Sequence, residues 1–165
     1  MGIMNKGQSI AGMYFGGKRI SGAIFATSKV WQLMPNLWRL ADSTPAFINM
    51  WGDLQAPDAR QLCSPLIPVQ AGKIYTVAAR VAVPNGARWW SASFFYDSNG
   101  KPVGSRSTKA IDGKTGDVSA FYAVTAPAGA AYIRACASFL MDGGRAMIFK
   151  GNQQIDWGKY PIIRG

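Results

Sequence analysis

Alternating side chains mark one stretch of this 165-residue chain, which reads Ile74-Tyr75-Thr76-Val77-Ala78-Ala79-Arg80-Val81-Ala82-Val83. Successive side chains of a β-strand point to opposite faces, so the pattern predicts a single strand with one buried face. The predicted core face consists of Tyr75, Val77, Ala79, Val81 and Val83. A strand with a buried face needs partner strands and a second layer, and the stretch therefore predicts a β-sheet domain.

Further strands are predicted on both sides of this stretch, at 66–69, 88–96, 119–124, 131–140 and 145–150. Gly, Pro and Asp residues separate them. The clearest turn is Asp97-Ser98-Asn99-Gly100-Lys101, because Asp and Asn side chains cap turns and Gly adopts the left-handed conformation. Short strands with this punctuation predict an all-β fold, a jelly-roll β-sandwich over residues 36–165.

A separate N-terminal segment, residues 1–34, precedes Pro35 and carries basic residues without any acid. Within it, residues 12–20 repeat as residues 22–30, and apolar runs are separated by Gly-Gly-Lys and Thr-Ser-Lys. This pattern predicts a small β-hairpin or meander. Such a ribbon is too small to bury both faces, so we expect it to pack on a partner or on copies of itself. The apolar residues of this attachment or oligomerisation segment are Tyr14, Phe15, Ile20, Phe25, Val30 and Trp31.

Histidine and glutamate are absent from the chain, and all eight acidic residues are Asp. Histidine is the usual general base near neutral pH and the commonest metal ligand, so Ser–His catalysis, Cys–His catalysis and histidine zinc sites are excluded. A glycosidase would need two carboxylates across one cleft, whereas most of these Asp residues lie in turn-like sequence. We therefore expect no enzyme activity, no cofactor and no metal site.

The two cysteines, Cys63 and Cys136, lie far apart and form no Cys-x-x-Cys motif. This spacing gives no support for a metal site or a redox pair. We expect two buried reduced thiols, and a single disulfide is the alternative.

The net charge of +10 bears on possible partners. Positive charge with exposed aromatic rings would suit single-stranded nucleic acid, but the Lys and Arg residues are scattered, so this interpretation is the less favoured one. The charge better fits anionic envelope polymers such as teichoic acids, or acidic neighbouring subunits. No long apolar run is present, and the first residues lack the apolar core of a secretory signal, so we expect neither a membrane span nor secretion by that route.

Two parts of the sequence resemble known families. The string from Ile10 to Ile20, continued through Ile24-Phe25-Ala26 to Lys29-Val30-Trp31, resembles a short module of bacteriophage tail, baseplate and other minor structural proteins. In that module, paired Tyr-x-Gly-x-Lys-x-Val segments end in Val-Trp, whereas Ala26-Thr27 here replaces the second glycine turn. The resemblance implies a virion protein that contacts other virion proteins through residues 1–34 and forms a homo-oligomer in the particle.

The remaining motifs follow in the same order as in carbohydrate-binding-like jelly-roll domains of phage tail and baseplate proteins, which they resemble. They are 68–75, 95–101, 125–134 and 146–151. The resemblance implies the fold more strongly than the ligand, because one fold hosts many functions.

Sugars pack their C–H faces on aromatic rings and exchange hydrogen bonds with short polar side chains. The candidate ligand residues on this basis are Trp51, Trp89, Trp90, Asp97 and Asn99. Trp89 and Trp90 are adjacent in a strand, so one faces the core and the other faces solvent or a neighbouring element. Asp97 and Asn99 could also hold Ca²⁺, but a plain turn is the favoured interpretation. Trp31 is expected to anchor the N-terminal ribbon and Trp157 to pack under the final strand.

These observations lead to one expected function and two alternatives. We expect a phage tail or baseplate structural protein whose outward jelly roll binds host cell-wall polysaccharide. The alternatives are a purely structural or decoration protein that binds no sugar, and a nucleic-acid-binding protein.

Overall fold

The computed structural model describes residues 13–15, 18–20, 22–27, 30–57, 60–113 and 115–152. Contacts within the chain separate it into two compact units, with the division between Asn36 and Leu37. Trp157 and the first twelve residues lie outside the described part. The expectation that Trp157 packs under the final strand therefore stays a prediction.

Among its described residues, the first unit contains four short strands, which are β1 (Met13–Phe15), β2 (Lys18–Ile20), β3 (Gly22–Thr27) and β4 (Val30–Pro35). They form two antiparallel pairs, β1 with β2 and β3 with β4. The register places Tyr14 opposite Arg19 in the first pair and Phe25 opposite Gln32 in the second. We call these two pairs the N-terminal hairpins.

The described part of the second unit contains eleven strands and two short 3-10 turns, at Leu40–Asp42 and Leu140–Asp142. The strands are β5 (Thr44–Pro45), β6 (Phe47–Ile48), β7 (Leu54–Gln55), β8 (Leu62–Cys63), β9 (Ile67–Pro68), β10 (Ile74–Val83), β11 (Trp89–Tyr96), β12 (Pro102–Ile111), β13 (Gly116–Thr125), β14 (Tyr132–Ala137) and β15 (Arg145–Lys150). One antiparallel sheet has the order β13-β10-β15, and the other has the order β12-β11-β14-β8-β5 with β9 also paired to β14. The all-β antiparallel fold predicted from the sequence is confirmed.

The core of the second unit lies between these two sheets, as in a β-sandwich. The face of β10 predicted from alternation is confirmed, because all five of its side chains are buried in this core. From the opposite sheet, Trp89, Phe95 and Ile133 pack against them. The strand is central in its sheet, which explains why its pattern is so clear in the sequence.

A second, smaller apolar cluster covers the outer face of the larger sheet. It contains Ala46, Ile48, Cys63, Ala92, Phe94, Tyr96 and Cys136. The hairpin of β6 and β7 contributes to this cluster, since Ile48 is fully buried. This hairpin therefore rests on the sandwich rather than belonging to either of its two main sheets.

The structure departs from the sequence prediction at several elements. The two-residue strands β5, β6, β7 and β8 were not predicted, because so short a segment shows no alternation. Strand β12 was not predicted: it is an edge strand, largely exposed on both faces, so its sequence shows no alternation. A register shift against β11 between Ser93 and Phe95 further breaks its pattern. The predicted strand 131–140 ends at Ala137, because Phe139 adopts a left-handed φ of 60° and a 3-10 turn follows.

In the part of the chain that the structure describes, no helix is long and apolar enough to cross a membrane.

Candidate functional site

The turn between β6 and β7 carries Trp51, which is 72% exposed, the highest value among the large apolar side chains that the structure describes from Asn36 onward. Asn49 shapes this turn: its Oδ1 accepts hydrogen bonds from the N–H groups of Trp51 at 2.8 Å and Asp53 at 2.9 Å. The Asn49 N–H also donates to the Asp53 carbonyl at 3.0 Å. An exposed indole is thus presented on a turn with a fixed hydrogen-bond pattern.

Contacts through Gly52 hold the turn against the sandwich. The Tyr96 hydroxyl donates to the Gly52 carbonyl at 2.6 Å. Gly52 has a φ of +92°, and a Cβ atom there would lie 2.7 Å from Cγ of Pro102. The backbone of the turn therefore sits directly on the end of β11 and the start of β12.

Burial and a contact with Arg134 determine the position and the protonation state of the Tyr96 side chain. Burial raises its pKa to about 12, although the nearby Arg134 acts in the opposite direction. The Arg134 guanidinium lies 5.8 Å from the centre of the Tyr96 ring, which is a cation–π distance. The hydroxyl thus stays protonated at neutral pH and donates to Gly52.

The predicted turn at 97–101 is confirmed. Asp97 Oδ1 accepts hydrogen bonds from the N–H groups of Asn99 at 2.8 Å and Lys101 at 2.9 Å. Gly100 adopts a φ of +77°, as a left-handed turn position requires. The Asp97 carboxylate therefore shapes a turn, and Asn99 is the exposed polar side chain of that turn.

The fold brings these two turns to the same end of the larger sheet. The 97–101 turn joins Tyr96 to Pro102, and both of these residues contact Gly52 of the other turn. We call the exposed side chains Met50, Trp51, Asp53 and Leu54 the Trp51 surface. The exposure of Met50 and Leu54 was not predicted from the sequence. The signal available for it was the Asn-x-x-Gly-Asp spacing, which indicates a turn and therefore exposed neighbouring residues.

The other two candidate tryptophans do not share this exposure. Trp89 is 1% exposed and belongs to the sandwich core, so its ring faces are covered and we withdraw it from the ligand site. Trp90 points to the opposite face, where it is partly buried. Its ring meets Phe47 of β6 edge-on, with centroids 6.1 Å apart. Trp90 therefore anchors the β6–β7 hairpin.

The candidate attachment residues are distributed over both N-terminal hairpins. Tyr14 and Phe15 lie in β1, Ile20 in β2, Phe25 in β3, and Val30 and Trp31 in β4. Their backbone positions agree with a β-ribbon.

A shallow groove beside β10 and β13 is lined in part by Arg80, Asp117, Asp142 and Arg145. Two carboxylates thus share one groove, as a glycosidase would require. Each carboxylate is paired with an arginine, Asp117 with Arg80 and Asp142 with Arg60. Hydrogen bonds from Arg80 hold the pKa of Asp117 below its ordinary value, the opposite of the raised pKa of a catalytic acid.

Cys63 and Cys136 are both free thiols and both buried. Among the described residues, no group of three or more Cys or Asp side chains is placed to hold a metal ion.

Neither a protein-family model nor a curated protein sequence matches this chain. Among solved structures, it is similar to the enzymatically active domain of tailspike protein 4 of bacteriophage CBA120, at 15% identity and a TM-score of 0.43. That similarity covers 66% of this chain but only 17% of the tailspike chain.

Two further structures are similar to it. One is the K3 cleaved adhesin domain of Lys-gingipain from Porphyromonas gingivalis, at 13% identity and a TM-score of 0.37, covering 75% of this chain and 73% of that one. The other is described as CBM4, at 14% identity and a TM-score of 0.35, covering 79% and 74%. These similarities are distant and carry no information about what this chain binds.

Proposed function

We propose that this chain is a structural protein of a bacteriophage tail or baseplate, and that its β-sandwich binds host cell-surface glycan through the Trp51 surface. The observation that carries the proposal is the 72% exposure of Trp51 on a turn held by Asn49 and Tyr96. Trp51 lies on the same hairpin as two further exposed apolar side chains, Met50 and Leu54, and an apolar patch of this kind, unlike a single exposed ring, is typical of a binding surface.

A sugar is a suitable partner for the chemistry around this ring. One face of the indole would pack on the C–H face of a pyranose. The exposed carboxylate of Asp53 and the exposed amide of Asn99, on the neighbouring turn, would exchange hydrogen bonds with the sugar hydroxyls. The turn is hydrogen-bonded before the ligand arrives, so little conformational entropy is lost on binding.

The N-terminal hairpins supply the other half of the proposal. They attach the chain to other virion proteins or to copies of itself through Tyr14, Phe15, Ile20, Phe25, Val30 and Trp31. A single sugar site binds weakly, and repeated copies in a particle would raise the avidity by effective concentration. The proposed location of the protein is therefore the virion, and its role requires no catalysis.

The proposal is tested by measuring binding of the full chain to purified capsular polysaccharide, lipopolysaccharide and peptidoglycan carrying teichoic acid, at low and moderate salt. Replacing Trp51→Ala should weaken saturable binding about tenfold or more, because the stacking face is lost. Met141→Ala, an exposed apolar residue outside the Trp51 surface, is the control and should change the affinity less than about twofold.

Other outcomes point to other functions. Binding that is abolished by salt and equal in both variants would indicate adhesion through the +10 net charge, and the sugar site would be rejected. If no polysaccharide binds, the structural alternative stands, which is favoured by the exposure of the apolar Met50 and Leu54 beside Trp51. Tight, steeply salt-dependent binding to a single-stranded oligonucleotide would instead support the nucleic-acid alternative.

A further inference from the structure

The two cysteines, far apart in sequence, are direct neighbours in the larger sheet. Cys63 of β8 lies opposite Cys136 of β14 in the antiparallel register. Both side chains point into the apolar cluster on the outer face of this sheet, and both are fully buried. The sequence spacing gave no support for a redox pair, and the topology creates the proximity.

The hydrogen-bond pattern shows whether Cys63 and Cys136 form a hydrogen-bonded or a non-hydrogen-bonded pair of the antiparallel ladder. At the adjacent pair, the Ser64 N–H donates to the Ala135 carbonyl at 2.8 Å. Hydrogen-bonded and non-hydrogen-bonded pairs alternate along an antiparallel ladder, so Cys63 and Cys136 form a non-hydrogen-bonded pair. The Cα atoms of such pairs are about 4.5 Å apart. Disulfides span Cα separations of about 4.4 to 6.8 Å, so the backbone can accommodate the bond.

The two sulfurs interact in the reduced state. The single S–H of Cys63 has two acceptors in range, the Ala46 carbonyl oxygen at 3.2 Å and the Cys136 sulfur. The contact with Cys136, reinforced by burial, raises the pKa of Cys63. Burial also opposes ionisation of Cys136, but hydrogen bonds from Cys63 and from the backbone of Ile48 and Ala92 outweigh it, so the pKa of Cys136 is lowered.

We propose that Cys63 and Cys136 are a redox-sensitive pair that converts to a cross-strand disulfide by exchange with a small-molecule disulfide. The Cys136 thiolate attacks one sulfur of the small disulfide, forming a mixed disulfide and releasing one small thiolate. Cys63 then loses its proton and attacks the Cys136 sulfur, which releases the second small thiolate. Two protein thiols and one small disulfide thus yield one protein disulfide and two small thiols.

A disulfide between Cys63 and Cys136 would link the short strand β8 covalently to β14. Strand β8 is short: its register with β14 covers Leu62 and Cys63, and the Ser64 N–H adds one further hydrogen bond, to Ala135. Strand β8 also pairs with β5, and the two strands flank in sequence the turn that carries the Trp51 surface. Oxidation would therefore tie this segment covalently to a central strand of the sandwich. Because both sulfurs are buried, exchange requires a transient opening of the β6–β7 hairpin that helps cover them.

The test uses the full chain, reduced and then equilibrated with mixtures of reduced and oxidised glutathione in buffer and in denaturing urea. Peptide mapping without reduction measures the fraction of chains in which the peptides containing Cys63 and Cys136 are linked. The fraction linked defines an effective concentration of the two thiols, which we expect to be at least tenfold higher in the folded chain than in urea. The oxidised protein should also melt roughly 5 to 10 °C higher than the reduced protein.

Two variants serve as controls, Cys63→Ala and Cys136→Ala. Each should lose the linked peptide and the shift in melting temperature on oxidation. The glutathione equilibration of the wild-type chain tests the proposal even if a variant fails to fold. The proposal would be overturned if the effective concentration in the folded chain were equal to or below that in urea. It would also be overturned if only mixed disulfides, or disulfides between two chains, formed at every urea concentration below the unfolding transition.

Discussion

Individual side chains determine how Trp51 is presented. Asn49 replaces water as the acceptor for two backbone N–H groups, and Tyr96 satisfies the carbonyl of Gly52. Gly52 itself fulfils two requirements, a positive φ and a close approach to Pro102. A residue with a side chain meets both of these requirements poorly, since the left-handed conformation is strained and the space for a Cβ atom is occupied.

Replacing Gly52→Ala should therefore lower the free energy of unfolding by about 2 to 4 kcal/mol, from backbone strain together with the clash against Pro102. The matched control is Gly100→Ala, which has a similar φ of +77° but nothing within 4 Å of the new Cβ atom. That variant should lose only about 1 kcal/mol. Urea unfolding of both variants gives the comparison, and equal losses would show that the contact with Pro102 is unimportant.

The raised pKa of Tyr96 predicts a loss of stability at alkaline pH. Its pKa is about 12 in the folded chain, against 10.0 for an unperturbed tyrosine. Below pH 10 the hydroxyl is protonated in both states, and its contribution is fully present. As the pH rises from 10 towards 12, only the unfolded chain releases the proton, so the free energy of unfolding falls.

Urea unfolding between pH 8 and pH 11.5 measures this effect. The variant Tyr96→Phe should show a shallower alkaline decline, and at neutral pH it should be about 1 kcal/mol less stable because the hydrogen bond to Gly52 is lost. An alkaline decline as steep as that of the wild type would mean that the Tyr96 hydroxyl does not contribute to it.

At the scale of elements, the β6–β7 hairpin pairs only Phe47 with Gln55 and Ile48 with Leu54. A two-stranded hairpin of this size is unstable alone, so its position depends on contacts with the sheet beneath it. Those contacts are the buried Ile48, the edge-on packing of Phe47 on Trp90, and a hydrogen bond of 3.2 Å from Arg106 to the Ile48 carbonyl.

Replacing Ile48→Ala should lower the free energy of unfolding by about 2 to 4 kcal/mol, because a fully buried side chain is removed from the outer cluster. Met50→Ala, two residues away but 62% exposed, should stay within about 0.5 kcal/mol of the wild type. Chemical denaturation of the two variants measures the difference. Similar stabilities would contradict the burial of the Ile48 side chain between the hairpin and the sheet.

At the scale of the whole molecule, the chain divides into an N-terminal pair of hairpins and a β-sandwich with its own core. The described residues of the sandwich bury two apolar clusters. The proposed function assigns assembly to the N-terminal ribbons and presentation of the Trp51 surface to the sandwich, and the two roles can be tested separately.

If the ribbons mediate assembly, the double variant Phe25→Ala, Trp31→Ala should lower the oligomeric mass of the purified chain, measured by light scattering after size exclusion. The melting temperature of the β-sandwich should stay within about 2 °C of the wild type, since both residues belong to the other compact unit of the chain. Trp51→Ala is the control and should leave the mass unchanged. A wild-type chain that is monomeric at all concentrations would reject self-assembly through this segment.

Much of the sandwich could be predicted from local sequence. The alternation of Ile74–Val83 gives both the limits of β10 and its buried face, because the period of a strand follows from its own backbone. The Asp97 turn is likewise a local structure, closed by hydrogen bonds within five residues. Strand β12 was not predicted, because an exposed edge strand has no face that must be apolar.

The sequence by itself determined the all-β class, the strand β10, the 97–101 turn and the absence of histidine chemistry, since each follows from composition or from residues adjacent in the chain. Only the tertiary structure decided that Trp51 is exposed while Trp89 is buried, that its turn meets Tyr96, and that Cys63 faces Cys136. Exposure and proximity depend on which distant segments pack together, and the local pattern of side chains does not contain that information.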